Sequence, residues 1–311
     1  MTYRGRFAPS PTGELHFGSL VTATASYLEA RCHGGQWLLR LEDVDQERCS
    51  NAAGTQILRT LETFGFVWDG PVWRQSERSD SYLAVLEQLA AQGLLYACSC
   101  TRKQIAARAQ YLAADGSAVY PGTCRPPARN PASLAELGSG SWRLRVAGEQ
   151  RISFDDLLQG RRSQCLDTEV GDFVLRRADG LFAYQLAVVV DDAAQGVNAV
   201  VRGADLLGST ARQIYLQQCL GYPRPSYAHL PLATDAYGKK WSKQRLAPAL
   251  LPDEAGSLLW HALRFLGQHI PPELERAPLA AIWEWAQAHW SLQLVPHCTA
   301  LRTPLVVARM L

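Results

Sequence analysis

The chain passes from a short apolar strand into a helix through Pro9-Ser10-Pro11-Thr12-Gly13-Glu14-Leu15-His16-Phe17-Gly18-Ser19, a junction that few folds can use. Residues 3–7 predict the strand, the two prolines impose extended backbone after it, and Gly13 permits a turn. Leu20, Val21, Thr24, Tyr27 and Leu28 recur at helical spacing, which puts His16, Gly18 and Ser19 at the helix entrance. Backbone N–H groups there attract phosphate. The segment predicts an α/β fold with a nucleotide at a strand-to-helix turn; a plain polar helix cap is the alternative reading of His16.

A second constraint sits far downstream. Of 31 basic side chains only four are lysines, at 103, 239, 240 and 243, so three of them crowd into Gly238-Lys239-Lys240-Trp241-Ser242-Lys243. A compact, mobile ammonium suits a polyphosphate that is gripped and then released, whereas arginine's planar fork suits a carboxylate. A solvated basic loop is the alternative.

Helix and strand patterns alternate through the first third of the chain. A helix over about 18–33 leads into a strand over 36–42; further helices carry Ile57, Leu58, Leu61 and Phe64, then Tyr82, Leu83, Leu86, Leu89 and Ala90. Such alternation predicts a parallel sheet. After Cys98 it gives way to a Pro/Gly-rich, arginine-rich stretch up to about Leu166, read as an insertion between two halves of the fold. The sheet is expected to resume with 183–190 and 197–201, followed by a helix with Ile214, Leu216 and Leu220. Arg6 ends the first strand and Arg202 directly follows the apolar run 197–201, so both lie where a parallel sheet presents its ligand face. Structural salt bridges are the alternative for these arginines and for Glu42.

With 311 residues, 47% hydrophobic side chains and a net charge of +2, the chain can bury a substantial core. No apolar run approaches membrane-spanning length, so no membrane partner is expected. Met1-Thr2-Tyr3-Arg4 shows no signal-peptide pattern, and a reducing cytoplasm is the expected location. Arg125, Arg129, Arg143, Arg145, Arg161 and Arg162 are candidate phosphate contacts, a solvated surface being the alternative. Of eight cysteines, Cys98 and Cys100 occupy alternate positions that face one side of a strand, and Cys124 from a later turn could meet them around zinc, leaving one vertex open. Buried free thiols are the alternative.

Together the junction and the lysine cluster resemble the paired motifs of class I aminoacyl-tRNA synthetases. His16-Phe17-Gly18-Ser19 stands in the place of "HIGH" and Lys240-Trp241-Ser242-Lys243-Gln244 in that of "KMSKS", with Trp241 for the usual Met and Gln244 for the final Ser. Residues 9–18, Arg40-Leu41-Glu42-Asp43, Asp172-Phe173-Val174-Leu175, Ala183-Tyr184-Gln185-Leu186 and Arg202-Gly203-Ala204-Asp205-Leu206-Leu207 resemble the glutamyl-tRNA synthetase catalytic domain, in order, over about 240 residues. The resemblance implies an α/β, Rossmann-type parallel-sheet catalytic domain in two halves, 1–97 and 167–244, with an inserted zinc-containing, acceptor-type subdomain at 98–166. A short helical region, 245–311, completes the chain.

It also implies activation of L-glutamate by ATP with Mg²⁺. His16, Gly18 and Ser19 would meet the ATP, and Lys240 and Lys243 the departing phosphates. Arg6 and Arg202 would bind the substrate side chain and Glu42 its α-amine, with Tyr184, Ala8 and Ser10 lining the pocket. A short paralogue group, the glutamyl-Q tRNA(Asp) synthetases, shows a Cys-x-Cys…Tyr-x-x-x-Cys pattern that Cys98, Cys100, Tyr120 and Cys124 match, implying one structural Zn²⁺. The chain runs only 67 residues past Gln244, from 245 to 311, where a full glutamyl-tRNA synthetase would continue into longer anticodon-reading domains. That similarity implies glutamate activation without tRNA, then transfer to the cyclopentene-diol of queuosine in the anticodon of tRNA(Asp), by an enzyme expected to be a monomer. A minimal or discriminating glutamyl-tRNA synthetase charging the terminal ribose, a non-catalytic tRNA-binding paralogue, and a small-molecule adenylyltransferase stand as alternatives.

Overall fold

A computed structural model describes residues 2–113, 118–126, 132–146, 148–235, 249–303 and 307. In chain order it has β1 (Arg4–Phe7), α1 (Phe17–Cys32), β2 (Gln36–Leu41), α2 (Asn51–Thr63), β3 (Trp73–Arg74), α3 (Ser79–Ala91), β4 (Leu95–Cys98), α4 (Arg102–Arg108), β5 (Ser141–Leu144), β6 (Arg151–Asp156) and β7 (Gly160–Cys165). Then come α5 (Leu166–Glu169), β8 (Phe173–Arg176), α6 (Tyr184–Ala194), β9 (Ala199–Gly203), α7 (Thr210–Leu220), β10 (Ser226–Leu230), β11 (Leu232–Thr234), α8 (Ala255–Phe265), α9 (Leu279–His289) and β12 (Ala300–Arg302).

Two groups of parallel strands place the site. β1 pairs with β2 and β2 with β3, all parallel. β9 pairs parallel with β10, and β10 parallel with β6, whose antiparallel partner β7 closes that edge. β9 lies alongside β1: Asn198 N donates to the Arg4 carbonyl at 3.1 Å, and Arg4 N donates to Asn198 Oδ1 at 2.8 Å. The order is therefore β3-β2-β1 followed by β9-β10-β6-β7. The chain leaves β1 in one direction and returns to its other side, which makes the crevice beyond the ends of β1 and β9 a switch point of the kind that binds ligands.

α1 fills the space above these strands because it is apolar nearly all round: Phe17, Leu20, Val21, Ala23, Ala25, Leu28 and Ala30 are buried. Its partner is α8, whose Leu258, Leu259, Ala262 and Leu263 join the same core with Ile282 and Trp283 of α9. α8 and α9 thus pack against α1, over the first half of the sheet. A second core gathers α3, α6, α7 and β8.

The segment 183–190, expected as a strand, is instead the start of α6. Leu186-Ala187-Val188-Val189-Val190-Asp191-Asp192 are all buried, so no solvent face interrupts the run, and an unbroken apolar stretch fits a buried helix as well as a buried strand. Within 98–166, β5 pairs antiparallel with β4 and β8, which flank that segment, while β6 pairs with β10. Among the described residues, no helix is long and apolar enough to cross a membrane.

Candidate active site

The site begins at the entrance of α1. His16 is its N-cap, with extended backbone (φ −119°, ψ 174°), and its Nδ1 accepts from Ser19 N at 3.3 Å. A neutral ring that accepts at Nδ1 carries its proton on Nε2, the tautomer that can donate outward. Capping and donation are therefore compatible roles for one ring. Gly18 leaves room for this placement: a Cβ there would lie 3.1 Å from His16 Cε1 and 3.2 Å from its Nδ1, crowding the ring. Lys239, Lys240, Trp241, Lys243 and Gln244 lie outside the described residues.

Beneath that entrance, a cavity of ≈ 90 Å³ opens at the β1/β9 switch point. Five residues proposed from the sequence, Arg6, Ala8, Glu42, Tyr184 and Arg202, line it together with Thr22 of α1 and Leu206. Ser10 is exposed and is not among the lining residues. The parallel strands explain the convergence: Arg6 is next to last in β1, Glu42 follows β2, and Arg202 is next to last in β9.

The two arginines are held differently. Arg6, 4% exposed, donates its Nε to both carboxylate oxygens of Asp192 at 3.2 and 3.4 Å, and its terminal nitrogens have no hydrogen-bond partner among the described residues. Arg40, fully buried, also donates to Asp192 at 2.7 Å and reaches Gln195 Oε1 at 2.6 Å. Burial alone would raise the Asp192 carboxyl, but Arg6 and Arg40 outweigh it and hold it below the ordinary value. Asp192 therefore stays ionised and neutralises part of this cationic wall.

Arg202, 3% exposed, has no carboxylate partner among the described residues. Its Nε donates to His229 Nε2 at 3.0 Å, Nη1 to Gln213 Oε1 at 2.8 Å, and Nη2 to Thr210 Oγ1 at 2.9 Å. All three acceptors are neutral. A buried cation without an adjacent anion is costly unless a ligand supplies one. Across the cavity, burial pushes the Glu42 carboxyl above its ordinary value against the pull of Arg40 and Arg6. Burial likewise keeps Tyr184 a phenol. The cavity thus brings together guanidinium N–H groups and the Glu42 carboxyl, which Arg40 Nη2 approaches to 3.6 Å, a lining that fits an amino acid with an acidic side chain.

Asp192, Asp156 and His229 contribute to this site without having been read from the sequence. The only available signal was alternation along strands: Ile152, Phe154 and Asp156 are the buried positions of β6. Asp156 thereby reaches the core through an otherwise ordinary strand pattern.

A separate constellation forms where β4 ends. The Sγ atoms of Cys98, Cys100 and Cys124 lie within 4.8 Å of one another and could hold a metal ion. Cys98 Sγ lies 3.4 Å from Tyr120 Oη, which also accepts from Cys124 N at 2.7 Å, and Cys100 and Cys124 sulfurs are 3.4 Å apart. Burial and the bond to Cys124 push Cys100 up to about 11. Burial would raise Cys124 as well, but the Ser99 N–H and the Cys100 and Tyr120 hydrogen bonds lower it to about 7. Soft donors at this spacing match a tetrahedral thiolate site, for which metal–sulfur bonds of about 2.3 Å place sulfurs just under 4 Å apart. The cluster is tied to the rest of the fold by Arg125, whose Nε and Nη2 both pair with the Asp172 carboxylate.

Residues 2–254 match the family model of tRNA synthetases class I (E and Q), catalytic domain. The chain is 58% identical over 305 residues to the glutamyl-Q tRNA(Asp) synthetase of Dechloromonas aromatica (strain RCB), covering 97% of this chain and 98% of that one. It is 53% identical over 294 residues to the glutamyl-Q tRNA(Asp) synthetase of Neisseria meningitidis serogroup C (strain 053442), covering 94% and 97%. The structure superposes on glutamate-tRNA synthetase from Elizabethkingia anophelis with a TM-score of 0.80 at 26% identity, covering all of this chain and 70% of that one. Sequence and fold agree that the chain belongs to the class I (E and Q) tRNA synthetase family, in its glutamyl-Q tRNA(Asp) synthetase group.

Proposed function

We propose that this protein activates L-glutamate with ATP in the absence of tRNA and transfers the glutamyl group to queuosine in the anticodon of tRNA(Asp). The observation that carries the reading is Arg202, a buried guanidinium with only neutral hydrogen-bond partners, lining a cavity of ≈ 90 Å³ together with Glu42. The substrate's side-chain carboxylate supplies the anion that Arg202 lacks and meets the terminal nitrogens of Arg6. Its ammonium meets Glu42, and binding draws that carboxyl into its ionised form. Glutamine would leave Arg202 without a counter-anion, the type of loss that rejects an analogue by about four orders of magnitude.

In activation the α-carboxylate oxygen attacks the α-phosphorus of ATP, a new O–P bond forms, and the bond to the β-phosphate breaks to release pyrophosphate. The nucleophile is already an anion, so the protein's task is alignment and charge stabilisation rather than proton removal. His16 donates through Nε2 to the α-phosphate, the N-terminal end of the α1 dipole adds to it, and Lys240 and Lys243 hold the departing phosphates. Mg²⁺ bound with ATP supplies charge neutralisation there. In transfer a hydroxyl of queuosine attacks the activated carbonyl, loses its proton, and AMP leaves.

Zn²⁺ held by Cys98, Cys100, Cys124 and Tyr120 supplies a structural tie rather than chemistry, since no step requires a metal-bound water. Cys100→Ser should release the ion: the purified variant is expected to hold less than about one tenth of the wild-type zinc by elemental analysis, and full retention removes Cys100 from the set. The protein is read as a cytoplasmic monomer.

Incubation with ATP, Mg²⁺ and labelled glutamate, with label then counted on tRNA from cells with and without queuosine, tests the function. Label confined to the queuosine-containing pool is expected. Equal label in both pools would mean ordinary charging of the terminal ribose, and label in neither would mean a binding protein.

A further inference from the structure

His229 is fully buried, does not line the cavity, and yet touches the residue that most defines it. It stands directly opposite Arg202 in the parallel pairing of β10 with β9. Its Nδ1 lies 2.5 Å from Asp156 Oδ2, and its Nε2 accepts from Arg202 Nε at 3.0 Å. Asp156 is itself locked: Oδ1 accepts from the backbone N–H groups of Leu158 at 3.0 Å, Gln159 at 2.9 Å and His229 at 3.2 Å. Burial would raise that carboxyl, but the bond to His229 and these N–H donors keep it below its ordinary value.

The direction of this chain of bonds comes from donor and acceptor chemistry. An ionised Asp156 only accepts, so the imidazole proton sits on Nδ1, and the Nε2 lone pair faces Arg202. Burial, together with the Arg202 charge, opposes a second proton on the ring. The neutral ring does something that a carboxylate in its place could not. A carboxylate would fix the guanidinium but cancel its charge, as Asp192 does for Arg6. A neutral acceptor fixes the guanidinium and leaves its charge for the ligand.

Resting on the reading of the cavity as a glutamate site, we propose that His229, oriented by Asp156, is a positioning residue that sets selectivity for an acidic over an amide side chain by aiming Arg202 while leaving it uncompensated. Gln213 and Thr210 complete the cradle, so loss of His229 frees the guanidinium to rotate about its remaining bonds rather than removing it.

The test is glutamate-dependent pyrophosphate exchange, which needs no tRNA, on wild type, His229→Leu, His229→Gln and Asp156→Asn. His229→Leu is expected to raise KM for glutamate about tenfold or more, to lower the preference for glutamate over glutamine by a similar factor, and to leave KM for ATP unmoved. His229→Gln offers a neutral oxygen near the Nε2 position and should recover most of both losses. Asp156→Asn removes what enforces the tautomer and should fall between them; it carries the test if the leucine variant does not fold. Unchanged KM and selectivity in His229→Leu, or in Asp156→Asn where that variant stands in, would overturn the proposal. So would a parallel rise in KM for ATP, or a glutamine variant no better than leucine. Wild-type protein that shows no exchange with glutamate would instead sink the reading of the cavity, and this proposal with it.

Discussion

Arg202→Leu should lower kcat/KM for glutamate activation about a thousandfold, the loss of about 4 kcal/mol of interaction with a desolvated carboxylate. The expectation rests on the partners of the guanidinium rather than on its burial alone. Because Gln213, Thr210 and His229 are neutral, no carboxylate touches Arg202, and its charge remains available to a ligand. Arg202→Lys separates charge from geometry. It keeps one positive charge but cannot span three acceptors around a planar fork, so it should recover only about a tenth to a hundredth of wild-type kcat/KM. Preference for glutamate over glutamine should collapse in the leucine variant and survive in part in the lysine variant. Pyrophosphate exchange measured with each amino acid checks both statements. Wild-type efficiency in Arg202→Leu would mean that the side-chain carboxylate binds elsewhere.

Much of this arrangement is legible in the sequence, for identifiable reasons. The strand-to-helix junction declares itself through Pro9, Pro11 and Gly13, α1 through the length of its apolar run after that junction, and α2 and α3 through a core-facing stripe at helical spacing. Arg6 and Arg202 are legible as candidates because each stands at the ligand-facing end of an apolar strand, although Arg6 also forms the ion pair with Asp192 that the alternative reading allowed. Cys98, Cys100 and Cys124 are legible as a spacing pattern, and the structure brings their sulfurs together. What fails is different in kind. α6 hides because it is buried on nearly every face, leaving no polar phase from which to read a period. β6 hides inside a stretch whose composition suggested only an insertion, although Ile152, Phe154 and Asp156 alternate correctly. Asp156, Asp192 and His229 hide because a buried polar residue announces itself only through the partner that satisfies it, and those side-chain partners lie at separations of 19 to 186 residues.

Asp192→Asn should expose how much depends on one such residue. The carboxylate accepts from Arg6 and Arg40 together, so the substitution leaves two buried guanidiniums facing an amide that offers one acceptor oxygen and two unwanted donors. Removing one member of a buried charge cluster costs about 3–5 kcal/mol of folding stability, and denaturant unfolding should show a loss of that size near neutral pH. The pH dependence carries a definite sign. The folded-state value of Asp192 is depressed, so its contribution is complete above the unfolded value of about 3.9 and is lost as pH falls through the lower folded value. The stability gap between wild type and variant should therefore be constant above roughly pH 4 and narrow below it. Activity should fall as well, about a hundredfold in kcat/KM for glutamate, because Arg40 already lies 3.6 Å from Glu42 and, once released from Asp192, would pair with it. That pairing removes the carboxylate the substrate ammonium needs, so KM for glutamate should carry most of the loss while KM for ATP stays within about twofold. A variant with wild-type stability and an unchanged KM for glutamate would show that Arg6 and Arg40 are held by the sheet alone.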